Sequence, residues 1–291
     1  MDHNNFRFDS DFDDNFSMSD VDSDLSETSS NMNEEIDSSL SCDADISSSE
    51  EENIHNSTFN PILYTRNPVL KDDVINVMKW AEENSTEASK LMFDTIISIL
   101  KNKTIIQIQI YGIGVLDGTC QKRGPFQLSI AFNLQKYFKE FFDKITVTCQ
   151  EPKLVSAEKE YLQSKNVKIL ETLQFSSKHF TKVSTNFSNP AFICYMIHGA
   201  FFMYEKFLIA HWKPEILSRC IIIGNNPNIF IDPTDLLHSR YSEKLKEFSK
   251  LCDSKPLEFE KGSVGDLGIG DKTCIYTISR KNATILIDKF P

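Results

Sequence analysis

Gly112 and Gly114 are the residues whose spacing first suggests chemistry, together with Tyr111 before them. They follow an apolar run (TIIQIQI) and precede a helix-like stretch. Glycine allows positive φ and lets a ligand approach the backbone amides, so this arrangement favours nucleotide binding. The fingerprint G-x-G-x-x-G is incomplete, because Asp117 stands at the third position and Gly118 comes one residue late. A ligand site and a tight turn alone both remain open interpretations.

Glu151 follows the next apolar run and precedes Pro152. An acidic residue at the carboxyl end of that strand can accept hydrogen bonds from ribose hydroxyls. It lies further beyond Gly112 than the usual spacing of about 20 residues. The alternative is a solvated acid at the end of a strand, held by the proline ring.

His198 follows a buried strand and precedes Gly199, which makes it the best candidate for a catalytic residue. A neutral imidazole there can act as a base, a proton shuttle or a ligand, or it can simply satisfy backbone groups. His211 stands at the end of the next predicted helix, but the pair lacks the spacing of a metal motif, so no metal ligands are assigned.

Gly224 and Asn225 end a further apolar run, IIIGNN. The Asn225 side chain can bond a ligand or fix its own turn before Pro227. With Tyr111, Gly112, Gly114, Glu151 and His198, these two residues fall at the carboxyl ends of predicted strands, where open α/β sheets bind ligands. The sequence contains no Walker loop, nucleophile elbow or cysteine–histidine metal set, so the cofactor remains unknown.

The elements that must position these residues alternate between strand and helix. This alternation therefore predicts a Rossmann-like α/β domain over residues 105–291, a three-layer sandwich with a mostly parallel sheet. Residues 59–104 predict a helical lead-in whose two helices are interrupted at Asn84-Ser85-Thr86. Strands are predicted at residues 105–111, 145–149, 167–170, 192–197 and 220–223. Helices are predicted at residues 125–141, 156–164 (with Ser156 as the N-cap), 200–211 and 214–217.

The C-terminal part of the chain predicts two further features. Thr234–Cys252 is expected to form one long helix, capped by Thr234 or Asp232. The C-terminus is expected to form a hairpin, with strands at 273–279 and 283–287 joined across Arg280-Lys281-Asn282.

Residues 1–58 differ sharply from the rest of the chain. They hold 17 acidic residues and one basic residue, a net charge of −16, while the remainder carries +5. The segment is too polar to bury a core, so we expect a disordered acidic tail. Six serines have an acid three residues later, a pattern that acid-directed kinases favour, so phosphorylation is expected: Ser10, Ser17, Ser19, Ser47, Ser48 and Ser49.

Composition also disfavours several classes. The basic residues are dispersed without aromatic interleaving, which disfavours nucleic-acid binding. The most apolar window, residues 191–212, is interrupted by charged and histidine side chains, which disfavours a membrane span. Seven scattered cysteines without a CxxC pair, and acids where a signal peptide would be basic, predict free thiols and a cytoplasmic or nuclear location.

The ordered motifs YGIG (111–114), PFQL (125–128), EP (151–152) with Glu158 and Leu162, YMIHG (195–199), Trp212 and IIIGNN (221–226) resemble the SRR-like family. That family is named for a plant phenotype of reduced sensitivity to red light. The resemblance is strongest over residues 105–230. The chain departs from the family pattern at two places: Glu151-Pro152 stands where the family usually has Asp-Pro, and Gly199 stands where it has a cysteine. His198 and Asn225 are retained.

The resemblance implies a Rossmann-like regulatory protein without an established reaction. It also implies roles in circadian and light signalling, in regulation of haem biosynthesis and, in fungi, in microtubule-related phenotypes. Protein partners are expected. The alternatives are an enzyme that uses a nucleotide-type cofactor (NAD or S-adenosylmethionine class) at the strand ends, and a haem- or metal-responsive binding protein.

Overall fold

The computed structural model describes residues 68–118, 122–142, 144–170, 175–176, 187, 189–234, 241–260, 263, 269 and 272–291. The predicted acidic tail, its six serines and the first part of the lead-in lie outside the described residues.

Helices and strands alternate along most of the described chain. The helices are α1 (Lys71–Asn84), α2 (Thr86–Leu100), α3 (Arg123–Lys139), α4 (Ser156–Ser164), α5 (Phe201–Ala210), α6 (Pro214–Leu217), α7 (Glu243–Leu251) and α8 (Arg280–Lys289). The strands are β1 (Thr104–Tyr111), β2 (Thr146–Gln150), β3 (Lys168–Ile169), β4 (Pro190–Met196), β5 (Cys220–Asn225), β6 (Asp253–Pro256) and β7 (Thr273–Thr277). A 3₁₀ turn spans Pro227–Phe230.

The described strands form a seven-stranded sheet in the order β3-β2-β1-β4-β5-β7-β6. The first five are parallel, and β7 is antiparallel to both of its neighbours, β5 and β6. The chain steps outward from β1 to β3, then returns to place β4 on the other side of β1. The point where strand order reverses is where open α/β sheets form a crevice.

Helices cover both faces of this sheet, which confirms the predicted Rossmann-like three-layer sandwich. One buried cluster joins the sheet to α1, α2, α3 and α4, and a second joins it to α5, α6, α7 and α8. Strands buried on both faces need apolar side chains in both directions, which explains the continuous runs in β4 and β5. Of the helices in the described ranges, none has the length and apolarity to cross a membrane.

The predicted interruption of the lead-in is confirmed at Ser85, which separates α1 from α2. Its hydroxyl lies 2.8 Å from that of Ser129 in α3, and Ser89 Oγ donates to the Ser85 carbonyl. The break therefore places a satisfied polar contact inside the helical layer.

Three sequence predictions are wrong: the start of one helix, the cap of another and the C-terminal hairpin. The prediction of one helix from Thr234 to Cys252 is wrong, because Ser242 caps a helix that begins at Glu243 by accepting from the Leu245 N–H; residues 235–240 lie outside the described residues. Ser156 is the first residue of α4 and not its cap; Val155 occupies the cap position, and its N–H donates to Glu158. The C-terminal hairpin is replaced by β7 and then α8, which Ser279 caps by accepting from Asn282. β6, which the sequence reasoning missed, pairs with β7 instead.

Candidate functional site

The glycine loop follows β1 at the carboxyl edge of the sheet, between the ends of β2 and β4. Gly112 and Gly114 have φ of +67° and +73°, in the left-handed region that side chains disfavour. The Gly112 N–H donates to the Gln150 carbonyl at 3.0 Å, so the loop continues the β1–β2 ladder by one bond before turning away. Both glycines are therefore required by the turn itself.

Two carboxylates bind the next amides of this loop. Gly114 N–H donates to Glu151 Oε2 at 2.8 Å, and Leu116 N–H donates to Glu158 Oε1 at 2.5 Å. The second oxygen of Glu151 accepts from Lys153 N–H at 2.9 Å. The amides of Gly114 and Leu116, which could otherwise face an anionic ligand, are thus bound by protein carboxylates. A phosphate brought to this loop would meet negative charge.

Glu151 lies at the end of β2, as the sequence predicts, but it is buried, with 6% of its surface exposed. Burial raises the pKa of its carboxyl group above the ordinary value, because desolvation disfavours the charged form. The Lys153 and Gly114 N–H groups oppose that rise by binding the carboxylate. The side chain is therefore a structural acceptor for the loop beside it.

Gly124 has a role that the sequence reasoning missed. It is the second residue of α3, and a Cβ there would overlap the carbonyl oxygens of Ile113 and Val115. In a dinucleotide fold the third glycine of the fingerprint permits this close approach of helix and loop. Here the same function falls to a glycine later in the chain, and the Gly124-Pro125 dipeptide at a helix start was the available signal.

Met203 of α5 packs against the glycine loop from the other side. A Cβ at Gly112 would lie 2.8 Å from Met203 Cε and 3.3 Å from its Sδ. The space in front of the first glycine is thus filled by a thioether, a flexible group that fits irregular gaps.

Tyr204, the next residue of α5, joins the ends of β4 and β5. Its hydroxyl donates to the Met196 carbonyl at 2.7 Å and accepts from Asn225 N–H at 2.8 Å. Its ring lies against Gly224, where a Cβ would overlap the hydroxyl. Gly224 therefore makes room for a protein side chain, since only a residue without Cβ lets the tyrosine reach both strands.

Asn225 binds the turn that follows β4 and carries His198. Asn225 Nδ2 donates to the Gly199 carbonyl at 2.9 Å, which fixes the turn. His198 is exposed and has φ of +55°, a left-handed conformation that is rare for a residue with a side chain. The turn therefore displays an imidazole at the carboxyl edge.

Tyr111 lies away from these groups. It points into the buried cluster beneath α5, where its ring stacks on Phe175 with centroids 5.1 Å apart. Its hydroxyl donates to Gln109 Oε1. The predicted site residues are thus divided: Gly112, Gly114 and Glu151 form one group, His198, Gly224 and Asn225 form a second, and Tyr111 belongs to the core.

His211 is fully buried at the end of α5. Its Nδ1 lies 2.7 Å from the Phe207 carbonyl, and its ring stacks on the Phe207 ring at 4.2 Å. Burial lowers its pKa to about 4. No group of three or more His, Cys, Asp or Glu side chains among the described residues could hold a metal ion. The five cysteines in these ranges are free thiols.

The sheet order, the glycine loop and the acid at the end of β2 define a Rossmann-like α/β protein. Residues 89–281 match the family model of the SRR1 domain, and the chain belongs to that family. None of the curated proteins compared with the sequence matches it significantly.

Solved structures that resemble the chain include several methyltransferases. A putative O-methyltransferase from Klebsiella pneumoniae is 14% identical, with a TM-score of 0.37, over 75% of this chain and 92% of that one. The 23S rRNA methyltransferase ErmE is 12% identical, with a TM-score of 0.33, over 64% of this chain and 67% of that one. Likeness at this level carries no conclusion about activity.

Proposed function

We propose that this chain is a non-catalytic regulatory protein of the SRR1 domain family, whose carboxyl-edge crevice is closed by its own side chains. The observation that carries the proposal is the binding of two loop amides by Glu151 and Glu158. A cofactor that used those amides would have to displace two charge-assisted hydrogen bonds, each contributing about 1.5–3 kcal/mol.

The other half of the crevice supports the same proposal. Met203 fills the space in front of Gly112, and Tyr204 fills the space beside Gly224. The Tyr204 hydroxyl uses the Met196 carbonyl and the Asn225 N–H, two backbone groups at the strand ends that a ligand would otherwise contact. The residues that suggest a nucleotide site therefore have structural partners within the chain.

A protein of this kind acts through partners, and we propose that they are proteins. The resemblance to the SRR-like family suggests circadian or light-type signalling and regulation of haem biosynthesis, in the cytoplasm or nucleus. The acidic segment of residues 1–58, with a net charge of −16, would contribute through phosphorylation. Affinity capture with the full chain and with serine-to-alanine variants of that segment would test this part of the proposal.

The closed crevice is tested by melting the purified full chain with NAD and with S-adenosylmethionine. We expect neither compound to raise the melting temperature, because a ligand that binds only the folded state must stabilise it. A rise that disappears in Glu151→Gln, with the circular dichroism spectrum unchanged, would overturn the proposal. A matched control is Glu160→Gln, since Glu160 is exposed on α4 and pairs with Lys71.

The second candidate is an enzyme that uses a nucleotide-type cofactor. It is favoured by one observation: Glu151 lies at the carboxyl end of β2 beside the glycine loop, where an acid can accept hydrogen bonds from ribose hydroxyls. In that function Glu151 would exchange its bond to Gly114 for a ribose hydroxyl, and the exposed His198 would act as base. The melting experiment separates this candidate from the first.

The third candidate is a haem-responsive protein. It is favoured by the exposure of His198 at the carboxyl edge, since an axial ligand must be accessible. Titration of the full chain with haem tests it directly. A Soret shift that His198→Ala abolishes would support haem binding, and an unchanged free-haem spectrum would exclude this third candidate.

A further inference from the structure

We propose that a cleft at the amino edge of the sheet, opposite the glycine loop, binds a small anion with several phosphate groups. The cleft has a volume of about 630 Å³. Its walls come from the end of α2, the segments that enter β1, β4 and β5, strand β6, and the residues that link β7 to α8. It shares no residue with the carboxyl-edge crevice, so the proposal is independent of the function proposed above.

Five basic side chains line this cleft: Lys101, Lys103, Arg219, Lys255 and Arg280. Two acidic residues, Glu215 and Asp253, also line it, so the described residues leave an excess of three positive charges. Within the described ranges none of the five basic side chains forms an ion pair. The basic side chains that are in excess of the acidic ones repel one another, and an anion would relieve that repulsion.

Neutral oxygen atoms hold two of these lysines in place. Lys103 Nζ donates to the Ser218 carbonyl at 2.8 Å, and Lys255 Nζ donates to Ser98 Oγ at 2.7 Å. Such bonds orient an ammonium group without neutralising it. The ammonium groups are therefore fixed at the cleft while their charge stays available to a ligand.

Lys103 carries the clearest electrostatic signature. It is half-buried, and burial lowers the pKa of its ammonium group, with a further lowering from nearby Lys101. An anion in the cleft would oppose both effects, because an opposite charge favours the protonated form.

The amino terminus of α8 adds a second source of positive potential. α8 has ten residues, with Ser279 as its cap, and no acidic residue lies in its first turn. Ser279 and Arg280 both line the cleft, so the first turn of the helix borders it. Unpaired amides at a helix start carry partial positive charge and attract anions.

The size and lining of the cleft define the class of ligand. A volume of about 630 Å³ falls in the range of small-molecule pockets. Basic side chains from four separate segments suit a compact ligand with two or three phosphate groups better than a single monovalent anion. A di- or triphosphate is the simplest molecule that can reach several of these cations at once.

The test is calorimetric titration of the full chain with inorganic triphosphate and, separately, with orthophosphate. We expect triphosphate to bind at least about tenfold more tightly, a difference of about 1.4 kcal/mol. Its affinity should fall steeply as salt rises from about 50 to 300 mM, because the cleft is open to screening. Arg219→Gln and Arg280→Gln should each weaken binding about tenfold, while Lys90→Gln on α2 should leave it unchanged.

Two results would overturn the proposal. One is the absence of triphosphate binding by a chain whose circular dichroism shows it to be folded. The other is binding that Lys90→Gln weakens as much as Arg280→Gln, since this would indicate general attraction to the surface. If Arg219→Gln fails to fold, Lys255→Gln on the exposed strand β6 replaces it. If the first result is accompanied by binding of an acidic peptide through the same basic side chains, the cleft is a protein-binding surface instead.

Discussion

Gly114 donates its backbone N–H to the carboxylate of Glu151, which stands at the end of the neighbouring strand β2. This bond joins the loop after β1 to the end of β2, and Glu158 makes the same kind of contact further along the loop by binding Leu116. The two acids hold the loop in the conformation that its glycines permit. The shape of the loop therefore depends on carboxylates supplied by the end of β2 and by α4.

The variant Glu151→Gln should destabilise the folded chain by about 1–3 kcal/mol. Gly114 and Lys153 donate to different oxygens of the carboxylate, and in glutamine one of those oxygens is replaced by an NH₂ group that would face a donor. Urea unfolding checks this, with Glu160→Gln as the control. Glu160 is about 60% exposed and lies 3.8 Å from Lys71, so its change should stay below about 0.5 kcal/mol. Equal effects of the two changes would contradict the role of Glu151.

The two glycines of the loop should respond differently to alanine. Both have positive φ, so each substitution should cost about 1–2 kcal/mol in backbone strain. A Cβ at Gly114 would meet nothing within 4 Å, whereas one at Gly112 would overlap Met203. Gly112→Ala should therefore be the more destabilising by about 0.5–1.5 kcal/mol, because the flexible end of Met203 must leave its preferred rotamer to make room. Adding Met203→Ala should recover part of that loss, and a double-mutant cycle without coupling would refute the contact.

Removing the hydroxyl of Thr148 should stabilise the chain, whereas removing that of Thr273 should destabilise it. Both side chains are buried in the sheet. Thr148 Oγ1 has no hydrogen-bond partner within the described residues, while Thr273 Oγ1 donates to the Ile269 carbonyl at 2.8 Å. Thr148→Val should add about 1 kcal/mol of stability, and Thr273→Val should lose about 1 kcal/mol. If Thr148→Val is instead destabilising, a bound water or ligand occupies that position.

His211 should make the chain less stable in mild acid. Its pKa is about 4 in the folded state and near 6.5 when unfolded, so the folded state binds fewer protons between these values. Stability should therefore fall as pH drops through this range, by about 2 kcal/mol between pH 7.5 and 5.0. Burial raises the pKa of Glu151, and this effect makes stability rise as pH falls. The contribution of His211 must therefore be measured between two proteins that both retain Glu151.

The measurement that isolates this histidine is urea unfolding of the native chain and of His211→Leu at both pH values. The variant should lack the part of the pH dependence that His211 contributes, about 2 kcal/mol, whatever its absolute stability. An identical pH dependence in the two proteins would show that the pKa of His211 does not differ between the folded and unfolded states.

The sheet was predictable from the sequence because its strands are buried on both faces. β4 and β5 read as continuous apolar runs, and β1 reads as an apolar strand interrupted by Gln107 and Gln109. The break at Ser85 follows from a run of poor helix formers. The C-terminal region was not predictable in the same way. The sequence of α8 contains Ile285-Leu286-Ile287, an apolar run with β-branched residues that is typical of a strand, and only the cap at Ser279 reveals the helix.

In the candidate site, the positions of the residues were predictable from the sequence, but their contacts were not. The positions of Gly112, Glu151 and Asn225 at strand ends follow from local sequence, but their partners do not. Met203 and Tyr204 approach them from a helix whose sequence reads only as an apolar stretch. Contacts of this kind depend on how helices pack on the sheet, which periodicity does not encode.

The position of β1 in the middle of the sheet has a consequence for synthesis of the chain. Its residue Ile110 pairs with Tyr195 of β4, and α3, β2, α4 and β3 all come between them in the sequence. One side of β1 therefore has no neighbour until β4 leaves the ribosome, several seconds later at about 5–20 residues per second. During that interval an apolar strand presents an open edge to other nascent chains. Among the paired strands, the longest interval between the synthesis of two partners thus falls on β1, the strand that leads into the glycine loop.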